Sequence, residues 1–298
     1  MLFHIEHITE YRYSETVTES FSEIRLRPRD SVRQKVSRHY TRVDPAAVVE
    51  SYTDYFGNAV EAVSIPFRHQ SLAVTSVCDV ETKPQTEIIA SPELTVADAQ
   101  QLYSSVRREL HDFLRPSHFV QFAPGVLELA AEFFPPSAGV AEALASLNSY
   151  LFQHLRYRPG VTDCATKVSE FLKTREGVCQ DFAHLMISIC RAAGLPARYV
   201  SGYIETDPLL DENGERAAPE LIGATASHAW VEVYSPNGYW VGFDPTNDIL
   251  EGERHVQIGI GRDYDDVPPL KGVYKGSHSQ ALHVKVKVTR NEATAPWN

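Results

Sequence analysis

Cys179 lies in Arg175-Glu176-Gly177-Val178-Cys179-Gln180-Asp181-Phe182-Ala183-His184-Leu185-Met186, where a loop turns into an amphipathic helix. Phe182, Ala183, Met186 and Cys190 fall on one helical face with it. Gly194 offers a left-handed cap and Pro196 forbids continuation, so the spacing predicts a helix from about Cys179 to Ala193. A cysteine in the first turn meets the positive end of the helix dipole, which favours a thiolate, and free amides that can donate to an oxyanion. A cysteine alone is as readily a small buried apolar residue. His228, in Ser227-His228-Ala229-Trp230, and Asp244, in Gly242-Phe243-Asp244-Pro245, supply what it lacks: a base and a carboxylate to orient it.

Ser235-Pro236-Asn237-Gly238-Tyr239 separates these two segments and suits a three-residue hairpin loop closed by a left-handed glycine. That loop faces Ser235 with Tyr239, Val233 with Val241 and Val231 with Phe243, giving one continuous apolar face. His228, Trp230, Glu232, Trp240, Gly242 and Asp244 share the other face. A one-residue slip would mix the two, so the pattern selects this register. His228 and Asp244 become diagonal neighbours at roughly 7–8 Å between backbones, within reach of their side chains. The helix of Cys179 is expected to dock on their face.

These residues resemble the transglutaminase-like superfamily, with its papain-like core, and in particular bacterial members described as candidate cysteine proteases. The resemblance rests on Gly177–Gly202, Ser227–Trp230 and Phe243-Asp244-Pro245. It extends to His7-Ile8-Thr9-Glu10-Tyr11-Arg12-Tyr13, Leu26-Arg27-Pro28, Asp54-Tyr55-Phe56-Gly57-Asn58 and Gly261-Arg262-Asp263-Tyr264-Asp265-Asp266-Val267. It implies Cys179 as nucleophile, His228 as base and Asp244 as orienting acid, with no cofactor. The superfamily spans amide hydrolysis, amine transfer and inactive relatives. Peptide or side-chain amide cleavage through a thioester, with water as acceptor, is the expected reaction. Transfer to an amine, or a binding protein with a vestigial triad, are the alternatives.

Three neighbours are further candidates for an oxyanion or substrate role. Tyr157, in Leu155-Arg156-Tyr157-Arg158, would add a hydroxyl donor; Gln180 sits in the first helical turn; Trp230 would roof the His228–Asp244 pair. Gly242 leaves room for close approach by Trp230 or substrate. Asp181 is expected to support the helix dipole or a loop rather than perform chemistry, its charge partly opposing a thiolate. Cys179, His184 and Cys190 do not make a zinc site, because His184 lies about 140° around the helix from Cys179. The acidic segment from Asp207 to Glu215 lacks the alternating ligands of a calcium loop and is expected to be a solvated lip over the site.

The elements that must position these groups divide the chain of 298 residues in two. Residues 1–90 read as strands and turns, an all-β domain of sandwich type. Residues 91–298 read as an α+β core in which a helix packs on an antiparallel sheet, with helical stretches at Val96–Leu114, Val126–Phe134, Val140–His154 and Thr166–Lys173. The alternating Leu282–Val288 suits either an edge of the core or a return to the amino-terminal sheet. Four cysteines make no disulfide framework, and Glu6 and Glu10 come too early for a signal peptide, so a cytoplasmic location is expected. A net charge of −11 argues against nucleic acid or an anionic membrane as partner, leaving a protein or peptide substrate.

Overall fold

The computed structural model describes residues 1–86, 94–106, 108–207, 221–223 and 227–291. The first strands are β1 (Leu2–Val17), β2 (Glu19–Ile24), β3 (Gln34–Asp44), β4 (Val49–Thr53), β5 (Ala59–Ile65) and β6 (His69–Thr82). Helices α1 (Val96–Ser105), α2 (Pro124–Phe133) and α3 (Val140–His154) follow, then β7 (Arg156–Tyr157), α4 (Val168–Thr174), β8 (Glu176–Gly177) and α5 (Cys179–Ala192). The chain continues through β9 (Ala197–Ile204), β10 (His228–Tyr234), β11 (Trp240–Asp244), β12 (Ile249–Leu250), β13 (His255–Gly261), β14 (Leu270–Lys275) and β15 (Gln280–Asn291).

The amino-terminal strands form two four-stranded sheets, ordered β15-β1-β6-β3 and β14-β2-β5-β4. Alternation along the strands puts Ile24, Leu26, Val63, Ile65, Leu72 and Val74 between them. Strands β14 and β15 pair antiparallel with β2 and β1, in registers such as Val273↔Phe21 and Val288↔Ile5. Residues 270–291 therefore complete the amino-terminal sheets, whereas a division at residue 90 would place them in the core. The alternation of Leu282–Val288 fits either sheet edge, and only the long-range pairing decides between them.

The core sheet is antiparallel, ordered β12-β11-β10-β9-β13. Its hairpin has the expected register: Val231↔Phe243, Glu232↔Gly242, Val233↔Val241 and Tyr234↔Trp240. Ser235 N–H donates to Tyr239 O at 2.6 Å, and Gly238 has φ +90°, the left-handed conformation that closes the loop. Helix α5 buries Phe182, Ala183, Leu185, Met186 and Ile189 against Ala197 and Tyr199 of β9 and Ala229, Val231, Val233, Val241 and Phe243 of the hairpin. That is the apolar face, not the face of His228 and Asp244 on which docking was expected. Burying apolar side chains on both partners favours this choice, at about 25 cal/mol per Å².

Along β9 and its edge strand β13 the core sheet also meets the amino-terminal sandwich. Tyr203, Val256 and Ile258 meet Phe3, Ile5, Cys78, Val80 and Val286 there. Between Val96 and Leu114, α1 ends at Ser105 and only a 3₁₀ turn, His111–Phe113, follows among the described residues, so one continuous helix is not formed. No helix among the described residues is long and apolar enough to cross a membrane. Of the acidic lip, residues 208–215 lie outside the described residues.

Candidate active site

Cys179 is the first residue of α5 and 8% exposed. The helix starts abruptly because Val178 is extended and its carbonyl accepts from Asp181 and Phe182. The amides of Cys179 and Gln180 precede the first helical hydrogen bonds and remain as donors at the positive end of the dipole. Asp181 holds this start as expected: its Oδ2 accepts from Val178 N–H at 2.8 Å and from Thr162 Oγ1 at 2.8 Å. Gly177 is required here, since a Cβ would lie 2.5 Å from that oxygen and 2.8 Å from Phe171. Burial raises the Asp181 pKa against those two hydrogen bonds, which tempers the negative charge beside the thiol.

His228 and Asp244 are brought together with no side-chain exposure, His228 Nε2 lying 2.8 Å from Asp244 Oδ2. A carboxylate only accepts, so Nε2 carries the proton. The Cys179 sulfur is near enough to favour the charged imidazole, and with Nε2 committed to Asp244, Nδ1, which has no hydrogen-bond partner, is the nitrogen left to serve it. Burial works against a charged ring, but the Asp244 carboxylate, its hydrogen bond and the Cys179 sulfur outweigh it, raising the His228 pKa to about 10. Asp244, despite its burial, is held well below the usual carboxylate range by His228 and His255.

Four donors converge on Asp244. Besides His228, Asn247 Nδ2 reaches Oδ2 at 2.7 Å, His255 Nε2 lies 3.3 Å from it, and Thr246 N–H donates to Oδ1 at 3.0 Å. His255 Nδ1 accepts from Gly252 N–H at 3.2 Å, which fixes the proton on Nε2 facing the carboxylate. Asn247 also clasps Ile222, accepting from its N–H at 2.7 Å and donating to its carbonyl at 3.1 Å. Next along the chain, Gly223 (φ +129°) lies against His228: a Cβ there would sit 2.7 Å from Nδ1. Neither His255 nor Asn247 was singled out from sequence. Asn247 had a local signal, lying three residues beyond Asp244 in a turn; His255, on a separate strand, had none.

His228, Asp244 and His255 also form a cluster of metal-ligand type. The 2.8 Å between His228 and Asp244 is a hydrogen-bond separation, and two of the three groups carry protons toward the third, so the arrangement fits a hydrogen-bonded triplet rather than a ligand set. Of the rejected zinc trio, His184 Nε2 accepts from Tyr264 N–H at 3.2 Å and its ring stacks on Phe119.

The other candidates separate. Strand β7 runs parallel to β8 with Tyr157 opposite Gly177, bringing Tyr157 beside the thiol. Burial, then the proximity of Cys179 and Asp244, pushes its pKa up to about 12, so its hydroxyl keeps a proton to donate. Gln180 gives its side-chain amide to Cys164 O at 3.2 Å, tying down the preceding loop. Trp230 is fully buried, its ring 6.0 Å from that of His228, and packs so tightly on Gly202 that a Cβ there would lie 2.4 Å from it. It backs the imidazole and presents no surface to solvent. Gly242 makes room for neither Trp230 nor substrate, but for the Glu251 carboxylate.

A cysteine at a helix start and a histidine–aspartate pair on an adjoining antiparallel sheet define a papain-like arrangement. Residues 128–245 match the transglutaminase-like superfamily, and residues 3–81 match the bacterial transglutaminase-like N-terminal region. An uncharacterized protein of Mycobacterium tuberculosis is 38% identical over 304 residues, covering 98% of this chain and 94% of that one. The protein-glutamine gamma-glutamyltransferase of Pseudomonas aeruginosa is 36% identical over 157 residues, covering 50% of this chain and 22% of that protein. A Cytophaga hutchinsonii structure named as a candidate cysteine protease shares the fold at a TM-score of 0.73 and 21% identity, covering 100% of this chain and 94% of that one. The chain belongs to the transglutaminase-like superfamily.

Proposed function

We propose that the protein cleaves peptide or side-chain amide bonds through a thioester on Cys179. The carrying observation is the fully buried His228–Asp244 pair, which leaves ring nitrogen Nδ1 unpartnered with the Cys179 sulfur near enough to favour the charged ring. The raised pKa of His228 means that the ring accepts the proton released by the thiol at neutral pH. The thiolate attacks the carbonyl carbon, and the amides at the start of α5, with the Tyr157 hydroxyl, donate to the oxyanion. The C–N bond breaks as His228 protonates the leaving amine. Water then attacks the thioester, gives a proton to His228, and the acid departs as Cys179 regains its thiol.

Water is the acceptor in this reading, in keeping with the candidate protease of the same fold; an amine in its place would give acyl transfer, the activity named for the Pseudomonas relative. The substrate class is a protein or peptide. A cytoplasmic setting belongs to the same proposal, supported by four cysteines that are all free thiols.

The test is the rate of Cys179 alkylation against pH, read by intact-protein mass spectrometry, with His228→Ala alongside. Labelling should stay fast well below the ordinary thiol range of ~8.5 and slow sharply in His228→Ala. Identical, ordinary thiol titrations in both proteins would sink the enzyme reading and turn attention to binding partners.

A further inference from the structure

Behind the histidine–aspartate pair, the same face of the core sheet carries a second buried polar layer, and the reaction proposed above does not use it. Glu232 of β10 and Glu251, just after β12, are 1% and 5% exposed. Gln257 Nε2 donates to both, at 2.8 and 2.9 Å. Arg198 of β9 serves Glu232 alone, at 2.6 Å. The cation at Glu251, among the described residues, comes from outside the core: Arg33, in the loop before β3, reaches Glu232 Oε1 at 2.8 Å and Glu251 Oε2 at 2.9 Å.

This layer touches the backbone of the site. Glu251 N–H donates to Gly242 O at 2.9 Å, and its carboxylate lies so close that a Cβ on Gly242 would be 2.1 Å from Oε2. Gly242 N–H in turn donates to Gln85 Oε1 at 3.0 Å, an oxygen that also accepts from Arg33 at 2.6 Å. Gly242 is two residues before Asp244 on β11. The Trp230 indole N–H lies beside Glu251 without aligning on it, and the ring meets His255 edge-on at 5.1 Å. His255 then gives its Nε2 proton to Asp244.

We propose that Arg33 is a positioning residue for the active site. By neutralising Glu251 and Glu232 together it fixes β11 and the Trp230–His255 pair, and through them the Asp244 carboxylate that orients His228. The amino-terminal domain thus completes the active site from behind. Two buried carboxylates sharing one glutamine repel unless both are compensated, and a guanidinium fork is the cation able to bridge them. Without it, one carboxylate must take a proton or move, and β11 moves with it. This inference rests on the thiol–imidazole reading above.

The test is again Cys179 alkylation against pH, on the full chain, with folding checked by circular dichroism. Arg33→Met should slow labelling by about tenfold at about pH 8, where Glu251, pushed up to about 7 by burial and by Glu232, is ionised. Arg33→Met with Glu251→Gln, which removes the uncompensated charge, should recover to within about threefold of the parent. An unactivated parent profile would defeat the enzyme reading itself. An activated parent with Arg33→Met unchanged, or slowed equally in the double variant, overturns the role of Arg33 alone. If Arg33→Met does not fold, Arg33→Lys carries the test. A lysine compensates one carboxylate but cannot bridge two, so labelling should slow by about threefold, and an unchanged profile overturns the proposal.

Discussion

The two faces of the core sheet are equally buried and oppositely made. Toward α5, Ala229, Val231, Val233, Val241 and Phe243 meet apolar side chains, and non-directional burial suffices to hold them. On the face that Arg33 and Gln85 close, His228, Glu232, Asp244, Glu251, His255 and Gln257 are buried as well, yet each polar group must find a partner of defined geometry. The first face supplies stability; the second supplies position. A buried ionic layer adds little net stability over apolar packing, but it allows few alternative arrangements. The histidine and aspartate proposed for chemistry stand on the second face, where an error in placement leaves a buried charge unpaired.

The sharpest way to break this comparison is Asp244→Asn. The variant keeps the shape but removes the charge and turns an amide toward donors that need an acceptor. Turnover of an amide substrate is expected to fall by about 10⁴-fold, as when the orienting acid of a catalytic triad is neutralised. A loss below about tenfold would mean that the polar face does not carry the reaction. On the apolar face, Met186→Ala should cost about 3 kcal/mol in urea unfolding, since Met186 is fully buried in α5. Cys179 labelling per folded molecule should be unchanged. A large change in labelling with little loss of stability would reverse the roles assigned to the two faces.

Legibility from sequence divides along the same line. The β10–β11 register could be read because loop chemistry and alternation are local and agree. The meeting of His228 with Asp244 follows from that register. The polar face resembles a site in need of a partner, which is why the sequence points α5 to the wrong face; its partners are Arg33 and Gln85 of the amino-terminal region. Gly242 was read as space, and Glu251 fills it. His255 and Arg33 had no local signal: one comes from a separate strand, the other from an element far along the chain. The return of β14 and β15 to the amino-terminal sheets was undecidable for the same reason, since an alternating strand fits any open edge of the right polarity.

The smallest expected effect sets a neutral histidine beside α5 against one in the sandwich. His184, on the helix side, is pushed down to about 3 by burial, and His7, against Tyr203 on the sandwich side, to about 4. Both lie below the unfolded value of about 6.5. As pH falls through 6.5 the unfolded chain takes up protons that the folded chain refuses, so stability drops toward pH 4 and 3. His228 has the opposite sign: its raised pKa contributes fully below 6.5 and fades only as pH rises toward about 10, so it does not add to the acid loss. The contribution of Asp244, with its depressed pKa, fades only in deeper acid. Half-buried His39, lowered to about 4 by burial, adds to the slope from the outer strands. Between pH 6.5 and 5 each buried ring should cost roughly 1–2 kcal/mol in urea unfolding. His7→Gln, which keeps a polar group for Tyr203 and Thr9 without the titration, should flatten the slope by about one ring's share. An unchanged slope in that variant would mean that the sandwich parts from the core before the global transition, leaving the acid response to His184 and the helix face.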